Sequence, residues 1–148
     1  MKIKDILLVE DNPSDIGLTR RALEKSHIAN KLIVVEDGQE ALDYLFGGDP
    51  LTDQKLNELP ALILLDLKLP KVDGLQVLRR IRANERTSRL PVVMLTTSSE
   101  EDDIAQSYDL GANSYIRKPV DFNQFVEAIQ YLGLYWLVMN EPAPPKKR

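Results

Sequence analysis

Short apolar runs and stretches of helical periodicity alternate five times along the chain. The runs at 6–9 (ILLV), 61–65 (ALILL) and 92–95 (VVML) lack any polar–apolar alternation and are bounded by turn or capping residues. That is the pattern of strands buried on both faces of a parallel sheet. Runs at 31–35 (KLIVV) and 114–117 (SYIR) complete a set of five. Between them, Asn12 followed by Pro13 opens a first helix that extends to about Ser26 and turns Ile16, Thr19, Ala22 and Leu23 to the sheet. Residues 37–40 (DGQE) form a capping-box variant for a second helix with Ala41, Leu42 and Leu45 inward. Residues 47–60 are polar and turn-rich and read as a long loop. A third helix from Gly74 to about Asn84 is expected to bury Leu75, Val77, Leu78 and Ile81. A fourth begins near Ser99 with an acidic first turn (Glu100, Glu101, Asp102), and a fifth runs from the cap Asp121 to about Met139. The alternation predicts an α/β fold with right-handed crossovers and helices on both sheet faces, in one domain over 1–140. Residues 141–148, rich in proline and lysine, read as a disordered tail.

Composition narrows the classes of function. At 148 residues, 43% hydrophobic and 28% charged, the chain can bury a core of ordinary size. A formal charge of −4 argues against nucleic-acid binding through a basic field. The absence of cysteine removes disulfides, thiolate catalysis and cysteine metal sites. No targeting signal is legible at the N-terminus, and no apolar stretch approaches the roughly 20 residues that span a bilayer. A cytoplasmic location away from the membrane is expected.

The chemistry sits at the carboxyl ends of the strands, where ligands bind in open sheets of this kind. Glu10 and Asp11 follow the first run and Asp66 follows the third. Acids converging there are costly unless a hard cation lies among them, and Mg²⁺ suits an all-oxygen donor set. The fourth run ends in Thr96 and Thr97, the fifth in Lys118 and Pro119. Acids, a hydroxyl and an ammonium at one sheet edge form a constellation suited to phosphoryl groups. The single histidine, His27, follows the first helix and reads as a surface residue.

Four segments together carry a family resemblance: 7–12 (LLVEDN), 64–74 (LLDLKLPKVDG), 93–97 (VMLTT) and 111–119 (GANSYIRKP). In that order and spacing they resemble the receiver domain of two-component response regulators, over roughly residues 4 to 132. The resemblance implies a flavodoxin-like (βα)₅ three-layer sandwich with a parallel sheet in the order 2-1-3-4-5. It implies that Asp66 is a phosphoacceptor attacking the phosphohistidine of a sensor histidine kinase. Glu10, Asp11, a carboxylate oxygen of Asp66 and the backbone carbonyl of Lys68 would hold Mg²⁺. Lys118 would pair with Asp66 and then with a phosphoryl oxygen; Thr96 would be the switch hydroxyl and Tyr115 the aromatic residue coupled to it. Two positions depart from the commonest pattern: Thr97, where a smaller residue is usual, and Lys68, which adds a cation at the pocket rim.

Rival readings fit less well. A dinucleotide site needs a glycine-rich turn where Glu10 and Asp11 stand. A haloacid-dehalogenase-like Mg²⁺-dependent phosphatase shares the aspartate nucleophile but wants a second aspartate at position 68, which is lysine. With only a short tail after Met139, the chain reads as a stand-alone receiver and not an enzyme. Its expected output is protein contact, or, alternatively, onward transfer to a histidine phosphotransfer protein. The 47–59 loop, the LPKVDG and TTSSEEDD stretches and the Tyr135–Trp136 pair resemble the single-domain regulators that serve bacterial, especially cyanobacterial, phytochromes. In the last helix Phe125, Val126, Ile129, Gly133 and Trp136 recur at helical spacing, leaving Tyr131, Leu134, Tyr135 and Val138 on another face. A helix apolar on two faces predicts a homodimer built on Tyr131, Leu134, Tyr135, Trp136 and Val138.

Overall fold

A computed structural model describes residues 4–47, 58–96, 101–117 and 122–132. Five strands and five helices alternate: β1 (Ile6–Val9), α1 (Pro13–Lys25), β2 (Leu32–Val35), α2 (Gly38–Phe46), β3 (Leu62–Leu65), α3 (Gly74–Ala83), β4 (Val92–Thr96), α4 (Glu101–Asp109), β5 (Ser114–Arg117) and α5 (Phe122–Leu132). The sheet is parallel in the order β2-β1-β3-β4-β5, as expected.

The pleat sorts the central strands cleanly. Leu7, Val9, Ile63, Leu65, Val92 and Met94 join Ala41, Leu42, Leu45, Val77, Leu78 and Ile81 on one face. Ile6, Leu8, Leu62, Leu64, Val93 and Leu95 meet Ala22, Leu23, Phe125, Val126 and Ile129 on the other. Strands β1 and β3 are buried throughout, whereas the edge strand β2 is only half-buried. Truncating one of the fully buried leucines to alanine removes about 2–5 kcal/mol in cores of this kind.

Local signals place the helix starts. The Asn12 side chain accepts from the amides of Ser14 (2.9 Å) and Asp15 (3.2 Å), with Pro13 at the first helical position. Asp37 accepts from the Glu40 amide at 2.8 Å. The reciprocal bond of the box is shifted by one residue: Glu40 accepts from the amide of Glu36, at 2.6 Å, and not from Asp37 itself. In α3, Val77, Leu78 and Ile81 are buried as expected; Leu75 is only half-buried, being on the flank of the helix that borders the site cleft. The expected starts of the fourth and fifth helices, Ser99 and Asp121, lie outside the described residues, as do the 48–57 part of the loop, the continuation of α5 to Met139 and the 141–148 tail. His27 is exposed with φ +56°, closing α1 as a surface residue.

Candidate functional site

The ladder extends past the strands into the site. Val9 and Leu65 are register partners, the Asp66 amide donates to the Val9 carbonyl at 3.0 Å, and the Glu10 amide donates to Val35 at 3.0 Å. Glu10 and Asp66 are therefore held side by side as the next pair beyond the strand ends. Both are buried, at 1% and 9% exposure, while Asp11 at the mouth is exposed. Carboxylate oxygens of Glu10, Asp11 and Asp66 all lie within 4.8 Å of one another. That is a spacing one small ion can bridge, and an all-oxygen set suits Mg²⁺, Mn²⁺ or Ca²⁺. Asp11 borders a cleft of ≈510 Å³, lined also by Leu67, Lys68, Leu69, Pro70, Asp73, Leu75 and Asp103.

Hydrogen bonds fix the loops that carry the acids. The Asn12 amide donates to Glu10 Oε2 at 3.3 Å, so Asn12 orients the buried acid while its side chain caps α1. On the β3 side, the Lys68 amide donates to Asp66 Oδ1 at 3.4 Å. The Gly74 amide donates to the Leu67 carbonyl at 2.8 Å and closes the loop from 67 to 74. The Lys68 side chain is exposed at the rim.

Residues from β4 and β5 complete the placement. Thr96 is the last residue of β4 and is paired in register with Arg117 at the end of β5. Tyr115 is half-buried and packs on the α2/α3 face of the sheet. Lys118 and Thr97 lie outside the described residues, as do Leu134, Tyr135, Trp136 and Val138. Tyr131 is described and stands 73% exposed, one helix face away from buried Phe125, Val126 and Ile129.

One residue at the site was not legible as such. Gly74 starts α3 hard against the acid-bearing loop: a Cβ there would overlap the Asp66 carbonyl oxygen and lie 2.7 Å from Leu67 Cα. The available signal was a poor helix former placed at a helix start. Gly74→Ala is expected to lose about 3 kcal/mol of stability, since the obstacle is backbone that has to move. Displacing a reacting group by about 1 Å costs on the order of a hundredfold in rate, so with Asp66 as the expected phosphoacceptor, labelling of Gly74→Ala should fall at least tenfold where it remains folded. Thermal melts and acetyl phosphate labelling measure both.

Over residues 6–130 the chain matches the response regulator receiver domain family. It is 41% identical over 140 residues to the probable methanogenesis regulatory protein FilR2 of Methanothrix harundinacea, covering 95% of this chain and 88% of that one. It is 40% identical over 134 residues to response regulator Rcp1 of Synechocystis sp., covering 90% and 89%. The crystal structure of the phosphorylated cyanobacterial phytochrome response regulator RcpA matches with a TM-score of 0.84 at 40% identity, covering 97% of this chain and all 100% of that one. The Mn²⁺-bound form of Rcp1 matches at 0.81 and 38% identity, covering 95% and 99%. The bacteriophytochrome response regulator RtBRR matches at 0.76 and 52% identity, covering 97% and 86%. A family match over most of the length, with this strand order and this acidic trio at the sheet edge, makes the chain a member of the response regulator receiver domain family.

Proposed function

We propose that Asp66 accepts a phosphoryl group from a sensor histidine kinase serving a phytochrome, with Mg²⁺ held by Glu10, Asp11, Asp66 and the Lys68 carbonyl. The observation that carries this reading is the convergence of the three carboxylates within 4.8 Å just beyond the ends of β1 and β3, with Asp11 on the wall of the cleft. Bound there, the ion would neutralise the acids and the charge of an incoming phosphoryl group. Asp66 is the acid suited to nucleophilic attack. It lies deep enough to be shielded from bulk water, and the Lys68 amide orients one of its oxygens. Glu10 is fully buried against Asn12, and exposed Asp11 serves best as a ligand at the mouth.

Thr96 and Lys118 are the groups to bind the new phosphoryl oxygens, and Tyr115 the residue that relays the change to the surface. The phosphoryl group adds charge at a site shared by several elements, and so biases a two-state surface. A cytoplasmic location is part of this proposal. Among the described residues, no helix is long and apolar enough to cross a membrane.

The phytochrome link is supported by the similarity to RcpA and RtBRR, whose names carry it, although FilR2 is as similar as RcpA and carries no such name. Incubation with autophosphorylated phytochrome kinases and with kinases of other sensors tests it. Faster radiolabel transfer from the phytochrome kinases supports the link, and equal or slower transfer removes it.

The output surface proposed is a homodimer through Tyr131, Leu134, Tyr135, Trp136 and Val138. Its support is Tyr131, which is large, apolar and exposed beside a buried helix face. A twofold pair is the expected symmetry. Light scattering should give twice the monomer mass at tens of micromolar for the native chain, and a monomer for Tyr135→Ala/Trp136→Ala. A native chain that is monomeric with and without acetyl phosphate would leave this face to another partner.

A further inference from the structure

The loop between β3 and α3 contains a backbone conformation that needs an explanation. Lys71 has φ +68°, a left-handed position for a residue with a full side chain. The Val72 amide donates across it to the Pro70 carbonyl at 2.8 Å, forming a γ-turn centred on Lys71. Such a conformation costs about 1 kcal/mol or more, and persists only where its surroundings over-determine it.

The surroundings are supplied by the β2–α2 junction. The Gly38 amide also donates to the Pro70 carbonyl, at 3.3 Å. Gly38 abuts Val72 so closely that a Cβ would overlap the Val72 carbonyl oxygen and lie 2.8 Å from Val72 Cβ. The Lys71 ammonium lies 3.5 Å from Asp37 Oδ2. Asp37 is itself fixed, because its other oxygen caps α2 through the Glu40 amide at 2.8 Å. The Glu40 amide chiefly, and the Lys71 ammonium after it, hold the Asp37 carboxyl below its ordinary range. The loop is thus tied at its base by Gly74 and at its tip by Asp37 and Gly38, with Lys68 between the two ties.

We propose that Asp37 and Lys71 are positioning residues that brace the β3–α3 loop, so that the Lys68 carbonyl is presented to Mg²⁺ at the acidic trio. The proposal rests on the metal reading given above. Its physical basis is the narrow tolerance of Mg²⁺, which demands near-ideal octahedral geometry, whereas Ca²⁺ accepts variable coordination. A loop relaxed at its tip should therefore lose Mg²⁺ before it loses Ca²⁺.

The test is calorimetric titration of the full chain with Mg²⁺ and with Ca²⁺, for native protein, Asp11→Ala, Lys71→Met, Lys71→Arg, Asp37→Asn and the Lys71→Met/Asp37→Asn double variant. Asparagine still caps α2, so Asp37→Asn removes the ion pair without removing the cap. The brace predicts that Lys71→Met and Asp37→Asn each weaken Mg²⁺ binding about tenfold, as outer partners of metal ligands do at their mild end. The double variant should be no weaker than either single one, Lys71→Arg should bind as the native chain, and Ca²⁺ affinity should change less than Mg²⁺ affinity. Long-range charge alone predicts opposite signs: losing a cation tightens binding of a dication, and losing an anion weakens it. Tighter Mg²⁺ binding by Lys71→Met, unchanged binding in both single variants, or equal losses for Mg²⁺ and Ca²⁺ each overturn the brace. If the native chain binds and Asp11→Ala does not, the metal reading survives that failure. A native chain that binds no Mg²⁺, or an Asp11→Ala variant that binds as well as native, removes both.

Discussion

Asp66→Asn is expected to take up no phosphoryl group from acetyl phosphate or from a kinase, while folding normally. The substitution separates chemistry from structure. The asparagine Oδ1 can still accept from the Lys68 amide, now 3.4 Å from the carboxylate, and the backbone bond from residue 66 to Val9 is untouched. What disappears is the anionic oxygen proposed to attack phosphorus. One of three neighbouring negative charges is also lost, so the metal-free fold should gain stability. A gain of about 1 kcal/mol corresponds to roughly 3 °C in melting temperature for a domain of this size. A labelling yield in Asp66→Asn equal to that of the native chain would show that another group is the acceptor.

Asp11→Ala should be equally inactive for a different reason. Asp11 is exposed, so its truncation costs little packing. Its loss leaves two buried acids, Glu10 and Asp66, without the third oxygen of the cluster at the mouth. In the native chain, Mg²⁺ at a hundred times its Kd adds about 2.7 kcal/mol of stability. That is roughly 5–10 °C in melting temperature. Most of that rise should be missing in Asp11→Ala, and its metal-free form should melt at or above the native temperature because repulsion is relieved. An undiminished Mg²⁺ response in this variant would place the ion elsewhere.

The sheet was legible because burial on both faces leaves a strong mark. The unbroken runs at β1, β3 and β4 are the strands whose two sides feed the two cores. Asn12 and Asp37 cap helices through their side chains as the sequence suggested, because cap chemistry is local enough to be read residue by residue; Asp73 caps α3 in the same way. The acids at the strand ends were legible because strand order and parallel direction bring Glu10 beside Asp66 with no long-range detail required.

Contacts that depend on close approach between loops were not legible. The residues near Gly74 mark a helix start but do not reveal that a Cβ there would overlap the Asp66 carbonyl. The left-handed Lys71 was equally hidden, since glycine or asparagine is the usual occupant of such a position. Arg82 is a third case. From α3 it donates to the carbonyls of Gly111 (2.9 Å), Ser88 (3.1 Å) and Leu90 (2.7 Å), and to Asn113 Oδ1 (3.0 Å), tying together two loops at the end of the sheet away from the acids. In the sequence it is one of several arginines at helical spacing, and no local pattern distinguishes it from Arg79 and Arg80, which are exposed.

Asp66, assisted by a cation at the trio, is proposed as the phosphorylated residue. Borohydride reduction of the native chain after treatment with acetyl phosphate converts an aspartyl phosphate to homoserine, and peptide mapping then locates it. Homoserine is expected at position 66 alone when Mg²⁺ is present, and none when the ion is chelated. Reduction product at Asp11 or Asp73 instead, or the same yield at Asp66 without a divalent ion, would contradict it.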